Sequence, residues 1–298
     1  MKLLRFVYVI ILAAMLAACG GSIPNTGQPV RVGSKDTVEN QLLGEMYAQV
    51  LQASGIPVER KLNLGNTQKV HQALVDGDID VYPEYTGTAY LLVMEMKDGE
   101  KDPAMINEKV RKYYERRWDL TWLTPAPLSN MTAIAVTADA ANKYNLRTIS
   151  DLARSAPNLR LAVTSDFQQR PDGMAALEAA YGSLDFHSVS VVDSASRYEA
   201  LQNGQADAVV GFATDGQIRG QNLMLLNDDQ RAWVNYQATP AVRKEVLERY
   251  PQMADALNKL SELLTSQRMA ELNWKVEGER QDVTQVAAEF LRGSGLIK

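Results

Sequence analysis

The 298-residue chain has one cysteine, Cys19, and two histidines, His71 and His187. One Cys forms no disulfide within a chain, and two isolated His residues do not complete a zinc set. His71 falls inside an amphipathic segment and reads as a helix-packing residue. The chain has no G-x-S-x-G, P-loop or G-x-G-x-x-G motif, so hydrolase and nucleotide chemistry find no support. Asp78, Asp80 and Glu84 lie close together, but strand alternation puts Asp78 and Asp80 on one side without a loop of oxygen ligands at metal spacing. No cofactor is called for. Positive charge is also short: without Lys2 and Arg5 of the leader, 29 basic residues face 36 acidic ones, a net charge of −7. That balance argues against nucleic acid as a partner, because phosphate contacts need a basic face.

The one long apolar run is at the start. Lys2 and Arg5 precede an apolar stretch over residues 6–16, too short to span a bilayer and laid out as an export signal. Leu16-Ala17-Ala18-Cys19 resembles a bacterial lipoprotein box. The resemblance implies a signal peptide over 1–18, lipidation of Cys19, and a periplasmic protein anchored to a membrane through that lipid alone. Residues 19–29 are rich in Gly, Pro and polar residues and read as a tether.

Residues 71–88 (HQALVDGDIDVYPEYTGT) and 198–215 (YEALQNGQADAVVGFATD) share the pattern A-L-x-x-G-x-x-D. The first copy uses Ala73, Leu74, Gly77 and Asp80; the second uses Ala200, Leu201, Gly204 and Asp207. Each predicts a helix end, a glycine stop in the left-handed region, and a strand directly after it. Short apolar strands start upstream of both, at Val30 and Leu159, 43 and 41 residues before the Ala of the repeat. The spacing implies two similarly built α/β lobes, with a ligand cleft where their strand ends face each other.

The remaining pattern fills in the lobes. Residues 30–33 predict a strand and 34–37 a capping loop. Val38, Leu42, Met46 and Val50 share one helix face, with Gly55-Ile56-Pro57 as the stop. A strand is expected at 79–82 and a basic helix with an apolar stripe at 104–118. MTAIAVTA predicts a strand that crosses between lobes. From Ala241 the pattern is helical to the end, broken at Tyr250-Pro251, and this tail is expected to fold back on the first lobe. Lobe one therefore covers 30–134 and 236–298, and lobe two covers 135–235. The predicted strand ends are aromatic and oxygen-rich: Asp80, Tyr82, Glu84, Tyr85 and Thr86 in one lobe, Phe167, Tyr198, Phe212, Thr214 and Asp215 in the other. Such rings suit either an ordinary core or a cage for a quaternary ammonium, which has no N–H to donate, and composition leaves both readings open.

DIDVYPEYTGT resembles the signature of the substrate-binding proteins of osmoprotectant ABC transporters, the glycine betaine/carnitine/choline-binding family. VGSKDTVENQLLGEMYAQVL, LNLGNTQKVHQAL, TWLTPAPLSNMTAIAV, YNLRTISDLA, PNLRLAVTSDFQQRPDG, FATDGQI and ELNWKVEGERQDVTQVAAEFL follow in family order, so the resemblance spans nearly all of 30–297. It implies a type II periplasmic-binding-protein fold, two α/β lobes around a ligand cleft, without catalysis. The implied partners are a small quaternary ammonium or zwitterionic solute, an ABC permease and, through it, an ATPase; a monomer is expected. Residue by residue, the resemblance places Asp80 and Tyr82 at the pocket, with Tyr82, Tyr198 and Phe167 around the methyl groups. Asn130 and Arg170 are matched to the substrate carboxylate, and Thr214 and Asp215 to the cleft, with Asp215 alternatively a helix cap. Where many relatives read S-K-x-F-T-E-Q, this chain has Thr37 in the aromatic place, which removes one cage wall. The leading expectation is a receptor for glycine betaine or a related solute. An amino-acid or other zwitterion binder is the alternative, and an envelope enzyme the more distant one.

Overall fold

The computed structural model describes residues 27–170, 172–193 and 196–298. The leader, Cys19 and most of the expected tether lie outside the described residues. Two five-stranded sheets organise the chain. The first contains β1 (Val30–Gly33), β2 (Val58–Lys61), β3 (Val81–Tyr85), β4 (Leu120–Trp122) and β10 (Ala238–Arg243), in the order β2-β1-β3-β10-β4. The second contains β5 (Thr132–Val136), β6 (Arg160–Val163), β7 (Ser188–Val191), β8 (Ala208–Phe212) and β9 (Met224–Leu225), in the order β7-β6-β8-β5-β9. Each has three parallel strands followed by an antiparallel one, β10 in the first sheet and β5 in the second. These two inserted strands are the ones that follow a crossing from the opposite sheet. The repeat read from sequence is thus a repeat of topology.

The lobe boundary expected at 134/135 falls inside β5, all five residues of which pair with β8 in the second sheet. A larger correction concerns β10. The segment expected to be helical from Ala241 begins with a strand that runs through the middle of the first sheet. Pro240 disguised it, because proline lacks the N–H a central strand normally donates. Here Pro240 sits opposite Pro83 of β3, and its carbonyl still accepts from Leu123 N at 3.0 Å. Only after Arg243 does the chain turn helical.

The helix Val38–Ala53 carries the main core of the first lobe. Its Leu42, Leu43, Met46, Val50 and Leu51 are buried against the helices Gln252–Leu263 and Val283–Gly293. Each such side chain contributes about 2 kcal/mol relative to exposure. The C-terminal tail thereby closes back on the N-terminal strands. Helix Pro103–Trp118 buries Ile106, Val110 and Tyr114 at four-residue spacing, the expected apolar stripe, beside Tyr82, Tyr90 and Trp122. His71 lies edge-on to Tyr114 and Trp118 in this layer.

The two crossings between sheets touch each other. Ser129 and Gln237 form an antiparallel bridge, Asn130 N donates to Tyr236 O at 3.1 Å, and Tyr236 N donates to Ser129 Oγ at 3.1 Å. Paired crossings of this sort are where a two-lobed protein bends.

Every residue of the A-L-x-x-G-x-x-D repeat has structural work. Gly77 (φ 77°) and Gly204 (φ 64°) close their helices in the left-handed region, which glycine enters without a Cβ penalty. The Ala73 carbonyl accepts from Asp78 N and Ile79 N, and the Ala200 carbonyl accepts from Gln205 N and Ala206 N. Leu74 and Leu201 are buried. The aspartates then fold back on the parallel strand beside their own, β1 in the first lobe and β6 in the second. Asp80 accepts from Arg31 N (2.8 Å), Nε (3.1 Å) and Nη2 (2.6 Å). Asp207 accepts from Arg160 N (2.9 Å), Nε (2.9 Å) and Nη2 (3.0 Å). Asp80→Ala leaves an amide and a guanidinium without their acceptor and is expected to cost about 2–4 kcal/mol in urea unfolding. Asp207→Ala should cost less, because that carboxylate is more open to water (21% exposed against 1%). A loss below about 1 kcal/mol for Asp80→Ala would show that the clasp does not hold the strand.

Candidate functional site

A cavity of about 990 Å³ opens between the two sheets. The first lobe supplies Lys35, Thr37 and Glu39 around the start of helix Val38–Ala53, Tyr85 at the end of β3, and Asn273 and Glu277 on helix Ser266–Glu277. The crossings supply Asn130 and Tyr236. From the second lobe come Phe167 and Arg170 around helix Ser165–Gln169, Arg197 and Tyr198, Phe212 at the end of β8, and Thr214 and Asp215 beyond it.

Seven of the residues expected at the site line this cavity: Thr37, Asn130, Phe167, Arg170, Tyr198, Thr214 and Asp215. Asp80 and Tyr82 do not. Asp80 belongs to the clasp at the opposite end of β3, and Tyr82 is fully buried in the aromatic layer under helix Pro103–Trp118. The reason is a shift of the strand. It was expected over 79–82 and runs over Val81–Tyr85, so Tyr85, not Tyr82, reaches the cleft. Tyr82 touches the site only indirectly. Its hydroxyl donates to Glu84 Oε2 at 2.9 Å, while Glu84 Oε1 takes Tyr85 N at 2.6 Å and the Lys35 ammonium at 2.5 Å.

The polar groups are tied together across long sequence distances. Glu39 Oε1 accepts from Tyr85 Oη–H at 2.6 Å and Asn130 Nδ2 at 2.8 Å, and Oε2 accepts from Asn273 Nδ2 at 3.0 Å. Asn273 Nδ2 also donates to the Thr214 carbonyl at 2.8 Å, joining the lobes. Burial and the Glu39 carboxylate push the Tyr85 hydroxyl well above its ordinary value, so it stays a donor. Thr37 uses its hydroxyl to cap its helix through Asn40 N. Arg170 forms a fork with Asp172 (2.8 and 2.6 Å), which also takes the Tyr236 hydroxyl at 3.1 Å. Asp215 makes no side-chain cap. Instead its Oδ2 accepts from Arg197 (2.5 Å), Tyr198 Oη (2.6 Å) and Phe212 N (2.9 Å). The sequence reading did not place Glu39, Arg197, Tyr236, Asn273 or Glu277. Tyr236 sits in an irregular crossing, and Asn273 lies 234 residues from Glu39, so no periodic signal points to either.

Chemically, the cavity offers five aromatic side chains (Tyr85, Phe167, Tyr198, Phe212, Tyr236) and an excess of acid. Six carboxylates line it against four cationic side chains. Lys35, Arg170 and Arg197 are each engaged by a carboxylate. An excess of acid favours cations in general, and aromatic faces are able to contact a methylated ammonium.

Over residues 28–293 the chain matches the family described as the substrate binding domain of ABC-type glycine betaine transport system. It is 36% identical over 295 residues to the glycine betaine-binding protein YehZ of Escherichia coli K12, covering 95% of this chain and 96% of that protein. It is 32% identical over 291 residues to the ergothioneine transport permease/ergothioneine binding protein EgtU of Helicobacter pylori, covering 96% of this chain and 52% of that longer one. A crystal structure of a glycine betaine/carnitine/choline ABC transporter superposes with a TM-score of 0.85 at 28% identity, covering 90% of this chain and 100% of the other.

Among the cavity carboxylates Glu277 has a shifted titration. Burial, followed by the nearby Asp215 carboxylate, raises its carboxyl above the ordinary 4.5, against smaller opposing effects of Arg197 and Gln217. The folded protein therefore holds this proton more tightly than the unfolded chain does. The stabilisation is fully present below the unfolded value and is lost as pH rises through the folded one. Glu277→Gln is expected to melt with the wild type below about pH 4 and above it at pH 8. Calorimetric melting across pH checks this, and a constant offset at all pH values would refute it.

Proposed function

The chain belongs to the family of substrate-binding domains of ABC-type glycine betaine transport systems, and from that premise we propose that its aromatic cleft binds a quaternary ammonium solute such as glycine betaine and hands it to a membrane permease. This is a family of extracytoplasmic transport receptors, not of enzymes. The observation that carries the ligand assignment is the set of aromatic side chains lining one acid-rich cleft from both lobes: Tyr85 from the first, Tyr236 from a crossing, and Phe167, Tyr198 and Phe212 from the second. A trimethylammonium group has no proton to donate and gains about 0.5–2 kcal/mol from each ring it meets, more as water is excluded. Three or four such contacts support micromolar affinity after the cost of closing the lobes. Bending at the paired crossings brings the walls together around the ligand and presents a matched surface to the permease. The same reading includes cleavage before Cys19, a lipid anchor at that residue, a periplasmic location, a monomeric receptor and an ATPase acting through the permease.

The cavity volume favours a second reading. A space of about 990 Å³ is at the size that suits ligands larger than glycine betaine. A bulkier zwitterion fits that space, and ergothioneine is the one named for the Helicobacter pylori relative.

Calorimetry on the chain starting at Gly20 decides between these ligands, using glycine betaine, choline, carnitine, proline betaine and ergothioneine. Micromolar binding of at least one trimethylammonium compound is expected, with Tyr198→Ala and Phe167→Ala each weakening it about tenfold. No heat and no thermal shift with any of them at millimolar ligand would sink the proposal. A preference for primary amines would move the assignment to amino acids.

A further inference from the structure

Two of the rings that face the cleft are already covered by a cation of the protein. The Arg197 guanidinium carbon lies 5.2 Å from the Tyr198 ring centre and 5.7 Å from that of Phe212, both within cation–π reach. Its side chain is only 10% exposed, so the contacts are made out of water, where they are strongest. Asp215 fixes the arrangement, because one oxygen holds the guanidinium, the Tyr198 hydroxyl and the Phe212 amide together. All three side chains line the cavity. The opposite wall repeats the device: the Lys35 ammonium lies 5.0 Å from the Tyr85 ring centre while bound to Glu84.

We propose that Arg197 competes with the ligand's ammonium group for the faces of Tyr198 and Phe212, and that this competition selects ligands carrying a carboxylate. The proposal rests on the quaternary ammonium reading above and deepens it. Two cations cannot share one ring face in a poorly hydrated cleft without repelling each other. An ammonium that settles on these rings therefore drives the guanidinium off them. A betaine offers the displaced guanidinium an acceptor, since a planar guanidinium and a carboxylate match in a two-pronged bond. Choline carries the same ammonium with a hydroxyl and offers no such replacement. Arg197 thus disfavours a bare cation and is re-used by a zwitterion.

The test measures glycine betaine and choline binding calorimetrically on wild type, Arg197→Gln and Arg197→Lys. Arg197→Gln removes the competing charge and keeps a hydrogen-bonding side chain. Choline is expected to tighten by about tenfold, the equivalent of one desolvated cation–π contact. Glycine betaine should not tighten, so the preference between the two narrows by at least that factor. Arg197→Lys keeps the charge and should keep choline weak. Choline binding that is unchanged or weaker in Arg197→Gln, or an equal loss for both ligands, would overturn the proposal while leaving the receptor reading intact. Failure of wild type and both variants to bind either ligand would overturn both. A crystal structure of the wild type with glycine betaine gives a reading that needs no variant. The guanidinium should have left the two rings for the ligand carboxylate. A guanidinium still over both rings, with the ammonium elsewhere, refutes the competition.

Discussion

In each lobe an aspartate folds back onto an arginine of the neighbouring parallel strand, Asp80 onto Arg31 of β1 and Asp207 onto Arg160 of β6, and the geometry of the cleft follows from those two clasps. A carboxylate removed from water needs its lone pairs filled, and a strand amide plus a guanidinium fork fill three of them at once. The clasp fixes how far the chain travels after the helix stop before it joins the sheet. In the first lobe that delay starts β3 at Val81 and ends it at Tyr85. Tyr85 therefore lines the cavity while Tyr82 packs under helix Pro103–Trp118. Moving the strand by one residue would exchange its faces and place a different set of side chains at the cleft. The repeated motif thus acts at a distance, holding the scaffold in register rather than touching the ligand.

Within the cleft, charge is handled in local pairs. Lys35 with Glu84, Arg170 with Asp172 and Arg197 with Asp215 each spend their attraction on one another. Two further carboxylates, Glu39 and Glu277, stand on the first-lobe wall, and Glu39 is satisfied by three neutral donors. Its hydrogen bonds also order Tyr85 and Asn130 as one unit, which preorganises that wall before any ligand arrives.

The lobes are joined by more than their two crossings. Asn273 donates to Glu39 in one lobe and to the Thr214 carbonyl in the other. Beside it, the short helix Gly216–Gly220 of the second lobe lies directly on Trp274 of the first, and a Cβ on Gly220 would overlap the indole. The absence of side chains lets the two helices approach closely enough for the Asn273 bond to form. Any bending at Ser129 and Tyr236 must therefore be read out at this glycine contact as well, which couples the wall bearing Tyr198 and Phe212 to the wall bearing Glu39.

Local sequence signals were enough for the two-lobed α/β plan, the opening strand and helix of the first lobe and both glycine stops, while the family resemblance supplied the seven residues that line the cavity. These are local matters, because apolar periodicity, a left-handed glycine and a capping Thr37 act over a few residues. The family resemblance carried the transport reading from contiguous motifs. The tertiary structure alone decided the rest. Pro240 made β10 unreadable as a strand until Pro83 was seen opposite it. Asp80 was matched to the pocket through the family signature, and its partner Arg31, 49 positions away, shows it to be a clasp residue instead. Tyr82 and Tyr85 share a five-residue strand, and only the clasp and the burial of each side chain determine which one lines the cavity. Glu39, Arg197, Asn273 and Glu277 are polar residues without a motif of their own. Arg197 takes its role from Tyr198, Phe212 and Asp215 of its own lobe, whereas Glu39 and Asn273 meet across 234 residues, and a pattern read along one chain contains no term for such contacts.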